Sequence, residues 1–460
     1  MSKNRHKWYL GFFLFLSFNT NGQTVSTFAG NAGVAGKTDG SGNSAKFSYP
    51  QGITSDSVGN IYVADRQNNA IRKISGGSVS TLAGSGQAGF KNGSAFSANF
   101  NQPTDVAVDR KGNVYVCDFG NHAIRKISTD GTVSTLAGNG KIGHRDDKGD
   151  SATFNMPIGI AFDKSSGNLI VSDYGSHIIR KISPDGLVTT ISGTPNISGF
   201  LDGISPLYDH PCGIAVGKAG QIYIADRNNN AIRQLFSDGS VSTYCGSRER
   251  DSLIDGRRSL AGFLHPVDIA IDFKENLYVV ENSDSSGKNF RYHIRKIDTK
   301  KNRVSLYAGN RKTRGSEDGV GEKAAFNGIA GITYISALKS FFVADAANHT
   351  VRQVKQSRWE YDPAAIVDSI FIPTAFTPNG DDNNDRWGVK SRFVDSLAYT
   401  TLVEVYNQWG QKVFYARNKR EEWDGKTGDA ENPTGSYKYV VSVWYEDKYA
   451  TVHGQVNLIR

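Results

Sequence analysis

Four residues break an otherwise regular sequence pattern, and their types could do chemistry. Asp105 and Asp268 stand at the start of an apolar segment whose four other copies carry glycine at that position. Two such carboxylates would favour calcium as a cofactor, although aspartate is also a common turn former. His210 and His265 each precede the proline that opens such a segment. Imidazole is a zinc ligand, but two histidines do not complete a zinc site.

An acid–base pair recurs along the chain. An aspartate stands seven residues before an arginine in five places: Asp65 and Arg72, Asp118 and Arg125, Asp173 and Arg180, Asp226 and Arg233, and Asp345 and Arg352. This spacing brings acid and base together across a β-hairpin, where a charge-assisted hydrogen bond fixes the turn. Because the pair repeats, we interpret it as structural.

One copy lacks the aspartate and differs in length. It has Glu281 at that position and seven additional residues before Arg295. A longer connection at this point predicts a projecting loop. We therefore expect ligand contacts in this loop from Glu281, Phe290, Arg291 and Tyr292.

All of these residues belong to repeats of four short strands, named a to d. The stretch Asn113 to Gly138, NVYVCDFGNHAIRKISTDGTVSTLAG, holds three alternating apolar runs separated by turn signals, and PTDVAV precedes it. Six copies recur roughly every 53 residues. One small sheet cannot bury both of its faces, so the repeats predict an all-β fold, a six-bladed β-propeller. Asp105 and Asp268 then face each other across its channel, and the two histidines lie near its mouth.

The two ends of the repeat region complete each other. TVSTFAG, residues 24–30, is a strand d without strands a to c, and the sixth copy ends after strand c. We expect the N-terminal strand to pair beside Val351 to Val354 and close the ring. Loops of about sixteen residues lead from each strand d to the next strand a, and we place the ligand surface at that end of the propeller.

The repeat region resembles the NHL-repeat family of β-propellers. The resemblance rests on blocks such as PCGIAV, GNVYVCD and NHAIRK, and it covers roughly Gln23 to Lys355. It implies the propeller fold. It does not imply one activity, because this fold serves binding proteins, lyases and lactonases. Similar propellers of the amidating-lyase group hold zinc with channel histidines, and those of the lactonase group hold calcium with channel carboxylates.

The N-terminus and the composition bear on the compartment. Residues 1–22 join basic residues to the apolar run WYLGFFLFLSF, which predicts a secretory signal peptide, and we expect no transmembrane segment in the mature chain. The net charge of +8 is spread along the chain, with no aromatic-interleaved basic stripe. Nucleic-acid binding is therefore not expected. The three cysteines replace small residues of the repeat, which favours buried free thiols.

The last hundred residues follow a different pattern. After the propeller at 23–357 and a linker at 358–369, alternating strands from 370 to 460 predict a small Ig-like β-sandwich. FTPNGDDNND, YNQWGQKVF, PTGSYKY and the terminal GQVNLIR closely resemble the gliding-motility-associated C-terminal domain, the type B sorting signal of the Bacteroidetes type IX secretion system. The acidic turn suggests ion binding by Asp381, Asn383 and Asp385, although Asp382 departs from the family's glycine.

The resemblance implies export by the type IX machinery to the cell surface or the medium. The propeller is then the cargo. We interpret it as a non-catalytic protein that binds a macromolecule, protein or glycan, through its long loops. The alternative is an extracellular enzyme of lyase or lactonase type with a cation in the channel. The four candidate channel residues do not form a complete coordination set, which favours the binding protein.

Overall fold

The computed structural model describes residues 23–250, 252–283, 291–355, 375–378, 386–387, 400–417, 422–445 and 448–459. The predicted signal peptide and linker lie outside these residues, as do Phe290, Asp381, Asn383, Asp385 and the side chain of Arg291. The chain divides into two compact units, Met1–Ser357 and Arg358–Arg460.

The first unit consists of six antiparallel sheets, the blades, each with the order a-b-c-d. Strands a are Pro50–Ser55, Pro103–Val108, Pro157–Phe162, Pro211–Val216, Pro266–Ile271 and Ile329–Ile335. Strands b are Ile61–Asp65, Val114–Asp118, Leu169–Asp173, Ile222–Asp226, Leu277–Ser283 and Ser340–Asp345. Strands c are Ala70–Ser75, Ala123–Ile127, Ile178–Ile182, Ala231–Leu235, Arg291–Asp298 and Thr350–Lys355. Strands d are Ser78–Ala83, Thr132–Ala137, Val188–Ser192, Val241–Gly246, Arg303–Ala308 and Thr24–Ala29.

Short elements decorate the connections. Two-residue strands add to the outer edge of blades 1, 2, 5 and 6, at Gly40–Ser41, Gly93–Ser94, Gly256–Arg257 and Gly319–Val320. The 3₁₀ helices are Gly42–Ser44, Arg66–Asn68, Phe119–Asn121, Gly149–Ser151, Tyr174–Ser176, Arg227–Asn229, Gly321–Lys323, Ser336–Leu338 and Ala346–Asn348. The two-residue strands come from the loop that precedes their own blade, so each of these loops spans the boundary between two blades.

The core lies between blades. One buried cluster joins Ala64 and Ile71 of blade 1 to Val106, Val116 and Ile127 of blade 2, and similar clusters fill the other boundaries. Both faces of each strand b are therefore apolar. Each sheet depends on its neighbours for burial, as in other closed repeat proteins.

The ring closes with the N-terminal strand, as predicted. Thr24–Ala29 pairs antiparallel with strand c of blade 6, with Val25 opposite Val354 and Thr24 opposite Lys355. Val25 and Ala29 are fully buried. The first strand of the propeller thus occupies the position that would otherwise be an exposed sheet edge.

The second unit is an Ig-like β-domain. Its five-stranded sheet has the order Ala375–Phe376, Lys448–Leu458, Gly435–Tyr445, Thr400–Tyr406 and Lys412–Ala416. A small hairpin pairs Lys426–Thr427 with Ala430–Glu431. Trp387 and Trp423 are fully buried and exchange backbone hydrogen bonds of 2.8 and 2.7 Å. The two indoles anchor the core of this unit.

Deleting Thr24–Ala29 should lower the free energy of unfolding by several kcal/mol. The deletion exposes the apolar surface that covers Val25 and Ala29, and it leaves strand c of blade 6 as a free edge. Urea and thermal unfolding measure the effect, with Thr24→Ser at the exposed first position of the strand as the control. An unchanged melting temperature in the shortened chain would contradict closure by this strand.

Candidate functional site

Strands a and c begin, and strands b and d end, at the same end of the propeller. Six long loops connect each strand d to the next strand a at this end, and they comprise residues 30–49, 84–102, 138–156, 193–210, 247–265 and 309–328. We call this the long-loop end. The 3₁₀ turns between strands b and c lie here too, so the long-loop end carries most of the irregular structure that could bind a ligand.

A buried arginine holds each long loop. In blade 1, Nη1 of Arg72 donates to Asp65 Oδ2 at 2.8 Å and to the Lys46 carbonyl at 2.8 Å. Its Nη2 donates to Asp39 Oδ1 at 2.6 Å and to the Thr38 carbonyl at 3.2 Å. The guanidinium therefore joins strands b and c to the loop, and we call this arrangement the arginine clamp.

The clamp recurs in all six blades. The loop partners of the six arginines are Asp39, Asn92, Asp146, Asp202, Asp255 and Asp318, at 2.6–2.8 Å. Each guanidinium carbon also lies 4.9–5.3 Å from the centroid of an aromatic ring, supplied in turn by Phe47, Phe100, Phe154, Tyr208, Phe263 and Phe326. The loop acids are therefore structural partners of the arginines.

The fifth blade contradicts the expectation that Glu281 and Tyr292 lie in a projecting loop. Its additional residues lengthen strands b and c, to Leu277–Ser283 and Arg291–Asp298, so the hairpin extends beyond Glu281. Glu281 is fully buried and lies 3.4 Å from Arg295 Nη1, and Tyr292 is 5% exposed. These two side chains belong to the clamp and the core and not to an exposed loop. The longer glutamate replaces aspartate in the same role.

A second repeated contact joins neighbouring blades. In the five blades other than the fifth, the residue that ends the b–c turn has a left-handed backbone and accepts a hydrogen bond from the backbone N–H that precedes the next strand a. The acceptors are Asn69, His122, His177, Asn230 and His349, at donor distances of 2.9–3.1 Å. Asparagine and histidine are interchangeable here because each presents a side-chain acceptor in a left-handed turn.

These hydrogen bonds between blades, which we call interblade caps, determine whether the neighbouring histidines could hold a metal. His177, Asp209 and His210 are the one group of three metal-type donors within mutual reach among the residues that the structure describes. However, His177 Nδ1 accepts the His210 N–H at 3.1 Å, which leaves the proton of the neutral ring on Nε2. A metal-bound histidine normally donates its second ring N–H. The donor set therefore does not fit a metal.

The two histidines before strand a have separate partners. His210 Nδ1 lies 2.6 Å from Asp209 Oδ1, and its ring packs on Tyr174 with centroids 4.5 Å apart. His265 Nδ1 is buried without a hydrogen-bond partner among the described residues. Burial and the nearby charge of Arg227 lower the pKa of His265, so it stays neutral. The structure does not bring the two rings together as a zinc pair.

Asp105 and Asp268 lie at the neck of the channel. Asp105 accepts the N–H of Val106 at 2.8 Å and that of Ile160 in the next blade at 2.9 Å. Asp268 is bound in the same way by Ile269 and Ile332, at 2.8 and 2.7 Å. Each carboxylate thus spans two blades, and each keeps part of its surface open to the channel.

The preceding blades require glycine opposite these aspartates. A Cβ atom on Gly52 would lie 2.5 Å from Asp105 Cα, and one on Gly213 would lie 2.5 Å from Asp268 Cα. No side chain fits at that distance. Gly159 and Gly331, which precede blades with glycine at this position, are approached as closely by the backbone of the next blade, at 2.4 and 2.5 Å, so the close approach of successive strands a requires glycine in all four blades.

Burial raises the pKa of both carboxyl groups. The pKa of Asp268 rises to about 7 because it lies deep among protein atoms. The pKa of Asp105 rises well above its usual range through burial and through the negative charge of Asp268. The two groups therefore compete for ionisation across the channel.

A cavity of about 160 Å³ opens from this neck toward the long-loop end. Its walls include Tyr174, Cys212, Arg227 and Asn282 beside the two aspartates. On the other side of the neck, a space of about 220 Å³ is lined mainly by strand a residues. The aspartates thus separate the mouth, whose walls are both polar and apolar, from a channel walled by the innermost strands.

The described side chains at the mouth supply two carboxylates toward a calcium site. Calcium takes six to eight oxygen ligands. Each aspartate already accepts two backbone N–H groups, and no third metal-type donor lies within reach of the pair in the described part of the chain. The geometry supports hydrogen bonding to a bound group better than it supports calcium coordination.

Sequence reasoning missed Arg227 and Tyr174. Both begin a b–c turn, at a position filled in blades 1, 2 and 6 by Arg66, Phe119 and Ala346. That variation within a regular repeat was the available signal. Only the ring geometry shows that blades 3 and 4 present this position to the cavity.

Two family models match the chain. The NHL repeat model matches residues 47–74, 100–127, 154–182 and 208–235. The model described as CHU_C Type IX secretion signal domain matches residues 370–458. The chain therefore carries four NHL repeats and a type IX secretion signal domain, which indicates export to the cell surface or beyond.

Several known proteins are similar to this chain. Protein SUPPRESSOR OF QUENCHING 1, chloroplastic, of Arabidopsis thaliana is 29% identical over 297 residues, 61% of this chain and 27% of that protein. Two solved Bacteroides thetaiotaomicron proteins each cover 72% of this chain and 76% of their own. One, of unknown function, has a TM-score of 0.56 at 23% identity. The other, an auxiliary nutrient binding protein, has a TM-score of 0.55 at 15% identity. This chain spans less than half the length of the curated relatives that it matches.

The structure also bears on membrane crossing. In the part of the chain that it describes, no helix has the length and apolar character needed to cross a bilayer.

Replacing both Asp105 and Asp268 with glycine should remove one part of the pH dependence of stability. The folded protein holds protons on these carboxyls that the unfolded chain releases above about pH 4. The contribution of this pair to the free energy of unfolding is therefore fully present at low pH and is lost as the pH rises through about 7. Between pH 6 and pH 8, the free energy of unfolding of the unaltered chain should fall by roughly 1–4 kcal/mol more than that of the double variant.

Urea unfolding of both proteins at the two pH values measures this difference. The other titrating groups are common to the two proteins and cancel. Glycine is the residue of the other four blades, so the substitution introduces no clash. Equal pH dependence in the two proteins would show that the pair does not retain a proton.

Proposed function

We propose that this chain, with its NHL repeats and C-terminal type IX secretion signal domain, is an exported binding protein without catalytic activity. Its ligand is a macromolecule, a protein or a glycan, that docks on the long-loop end of the propeller. The signal domain delivers the propeller to the outside of the cell, where such a ligand would be met.

The observation that carries this proposal is the exposure of apolar side chains on the long loops. Five of the six loops carry nine of them: Val34, Phe90, Phe96, Ile142, Ile197, Leu201, Ile204, Ile254 and Leu260, with exposed fractions from 37% to 86%. Single exposed apolar residues are ordinary, but nine on one set of loops are typical of an interaction surface.

The arginine clamps support the same proposal. Each long loop is tied at its acid or amide and at neighbouring carbonyls, so it is ordered before a ligand arrives. Binding to such loops costs less conformational entropy than binding to loops that must be ordered at contact. The fold accommodates binding, since a solved auxiliary nutrient binding protein shares it.

The cavity chemistry argues against the alternative of a lyase or lactonase. Cys212 lines the cavity, but burial raises the pKa of its thiol to about 12, so it is not a nucleophile near neutral pH. In the described residues, no histidine lines this cavity and no metal donor set is complete at the aspartates. The walls offer hydrogen bonds and charges, which suit a bound group.

Changing three loop residues should abolish binding. We expect the triple variant Phe96→Ser, Ile142→Ser, Ile204→Ser to lose at least tenfold of its signal on arrays of polysaccharides and extracellular proteins. The matched control is Val58→Ser, Phe273→Ser, Leu338→Ser, which alters exposed apolar side chains on the a–b turns, at the opposite end of the innermost strands. Equal loss in both variants, or no array element bound by the unaltered chain, would overturn the proposal.

A truncation tests the export step separately. A chain that stops after Asp368 lacks the secretion signal domain and should leave a folded propeller inside the cell envelope. Protease accessibility on intact cells, compared between the full and the truncated chain, measures surface delivery. Normal delivery of the truncated chain would contradict export through this domain.

A further inference from the structure

We infer that the cavity at the mouth of the channel binds a small zwitterion, an amino acid or a dipeptide. Its ammonium group would lie against Asp105 and Asp268, and its carboxylate against Arg227. The inference rests on the proposed binding role and adds a ligand class at a defined place.

The two aspartates form the cation-binding half. An ionised carboxylate has about four acceptor positions, and each aspartate uses two of them for backbone N–H groups. The remaining lone pairs belong to side chains that keep part of their surface open to the cavity. An ammonium group supplies three N–H donors in a small volume, and its positive charge favours the ionised form of both carboxyl groups, so binding displaces the protons that they hold in the free protein.

Arg227 forms the anion-binding half. The six clamp arginines are fully buried and fully charge-paired, but Arg227 lines the cavity. Its one hydrogen bond to a described residue is long, 3.5 Å from Nη1 to the hydroxyl of Tyr174. No carboxylate of the described residues forms an ion pair with it. A guanidinium with free donors is suited to bind a carboxylate in a bidentate manner.

The equivalent arginine of blade 1 has a close hydrogen-bond partner, unlike Arg227. Arg66 donates to Gln102 Oε1 at 2.9 Å and lies over the ring of Phe119, with 5.4 Å to the centroid. It does not line the cavity. Opposite charges therefore line the same cavity at Arg227 and the two aspartates, and this arrangement breaks the symmetry of the propeller.

The volume of the cavity and the charges that line it limit the class of ligand. A volume of about 160 Å³ corresponds to roughly five water molecules in the bulk liquid, which suits a small amino acid. A metal ion alone would leave Arg227 without a counter-ion. A carboxylic acid without an amine would leave the two aspartates facing each other. A zwitterion supplies a positive group for the two aspartates and a negative group for Arg227.

Isothermal titration calorimetry of the full chain at pH 7 tests the inference. The probes are alanine and dialanine, which differ in the separation of amine and carboxylate. Each is compared with its N-acetyl form, which lacks the amine charge, and with its amide, which lacks the carboxylate. We expect at least one of the two zwitterions to bind, and to bind at least tenfold more tightly than both of its blocked forms.

Variants assign each half of the site. The double change Asp105→Gly, Asp268→Gly restores the residue of the other four blades and should remove the preference for the zwitterion over its N-acetyl form. Arg227→Ala copies Ala346 of blade 6 and should remove the preference over the amide. Arg66→Ala is the matched control and should leave both preferences unchanged. Thermal unfolding of every variant checks that the propeller remains folded.

The outcomes separate this inference from the proposed function. No binding of either zwitterion at 10 mM, or equal binding of blocked and unblocked forms, would overturn the zwitterion site. If macromolecule binding still depends on the long loops, the proposed function survives that result. Loss of both preferences in Arg66→Ala would also contradict the assignment, because that residue lies outside the cavity.

Discussion

The buried guanidinium of the arginine clamp is the interaction on which the rest of the propeller depends. It bonds strand b, strand c and the long loop at once, beneath an aromatic ring. Removing one partner of a buried ion pair costs about 3–5 kcal/mol, although the intact pair adds little over an apolar core. The clamp therefore specifies the path of the loop more than it adds stability. Six repetitions of it make the long-loop end rigid.

Most contacts in the propeller are repeated from blade to blade, and the residues that differ between blades give the cavity its character. Clamps and interblade caps recur around the ring with the same geometry, so they hold the fold together. Asp105, Asp268 and Arg227 are not repeated in every blade, and they line one cavity. Close approach of successive strands a explains part of this pattern. The backbone of the next blade leaves no room for a Cβ atom at this position in the four blades that carry glycine, so a carboxylate cannot replace any of these glycines without a shift of the backbone.

Much of the fold and some of the site could be predicted from the sequence. The period of the repeats, the alternation of apolar residues and the split last blade predicted six sheets closed by the N-terminal strand. The opposition of Asp105 and Asp268 followed from counting blades. The longer b–c connection of blade 5 predicts an exposed loop with Glu281 and Tyr292. This prediction is wrong, because the added residues extend the hairpin and both side chains are buried.

What the sequence determined by itself is therefore local and periodic: strand order, ring closure and the repeated pairing of aspartate and arginine. The tertiary structure decided which side chains share a space. Arg227 and Asp105 are more than a hundred residues apart in the chain and belong to different blades, and no local pattern records that both line one cavity. Their meeting follows from six sheets arranged around a common axis, where the separation of two side chains depends on ring position and depth along the channel.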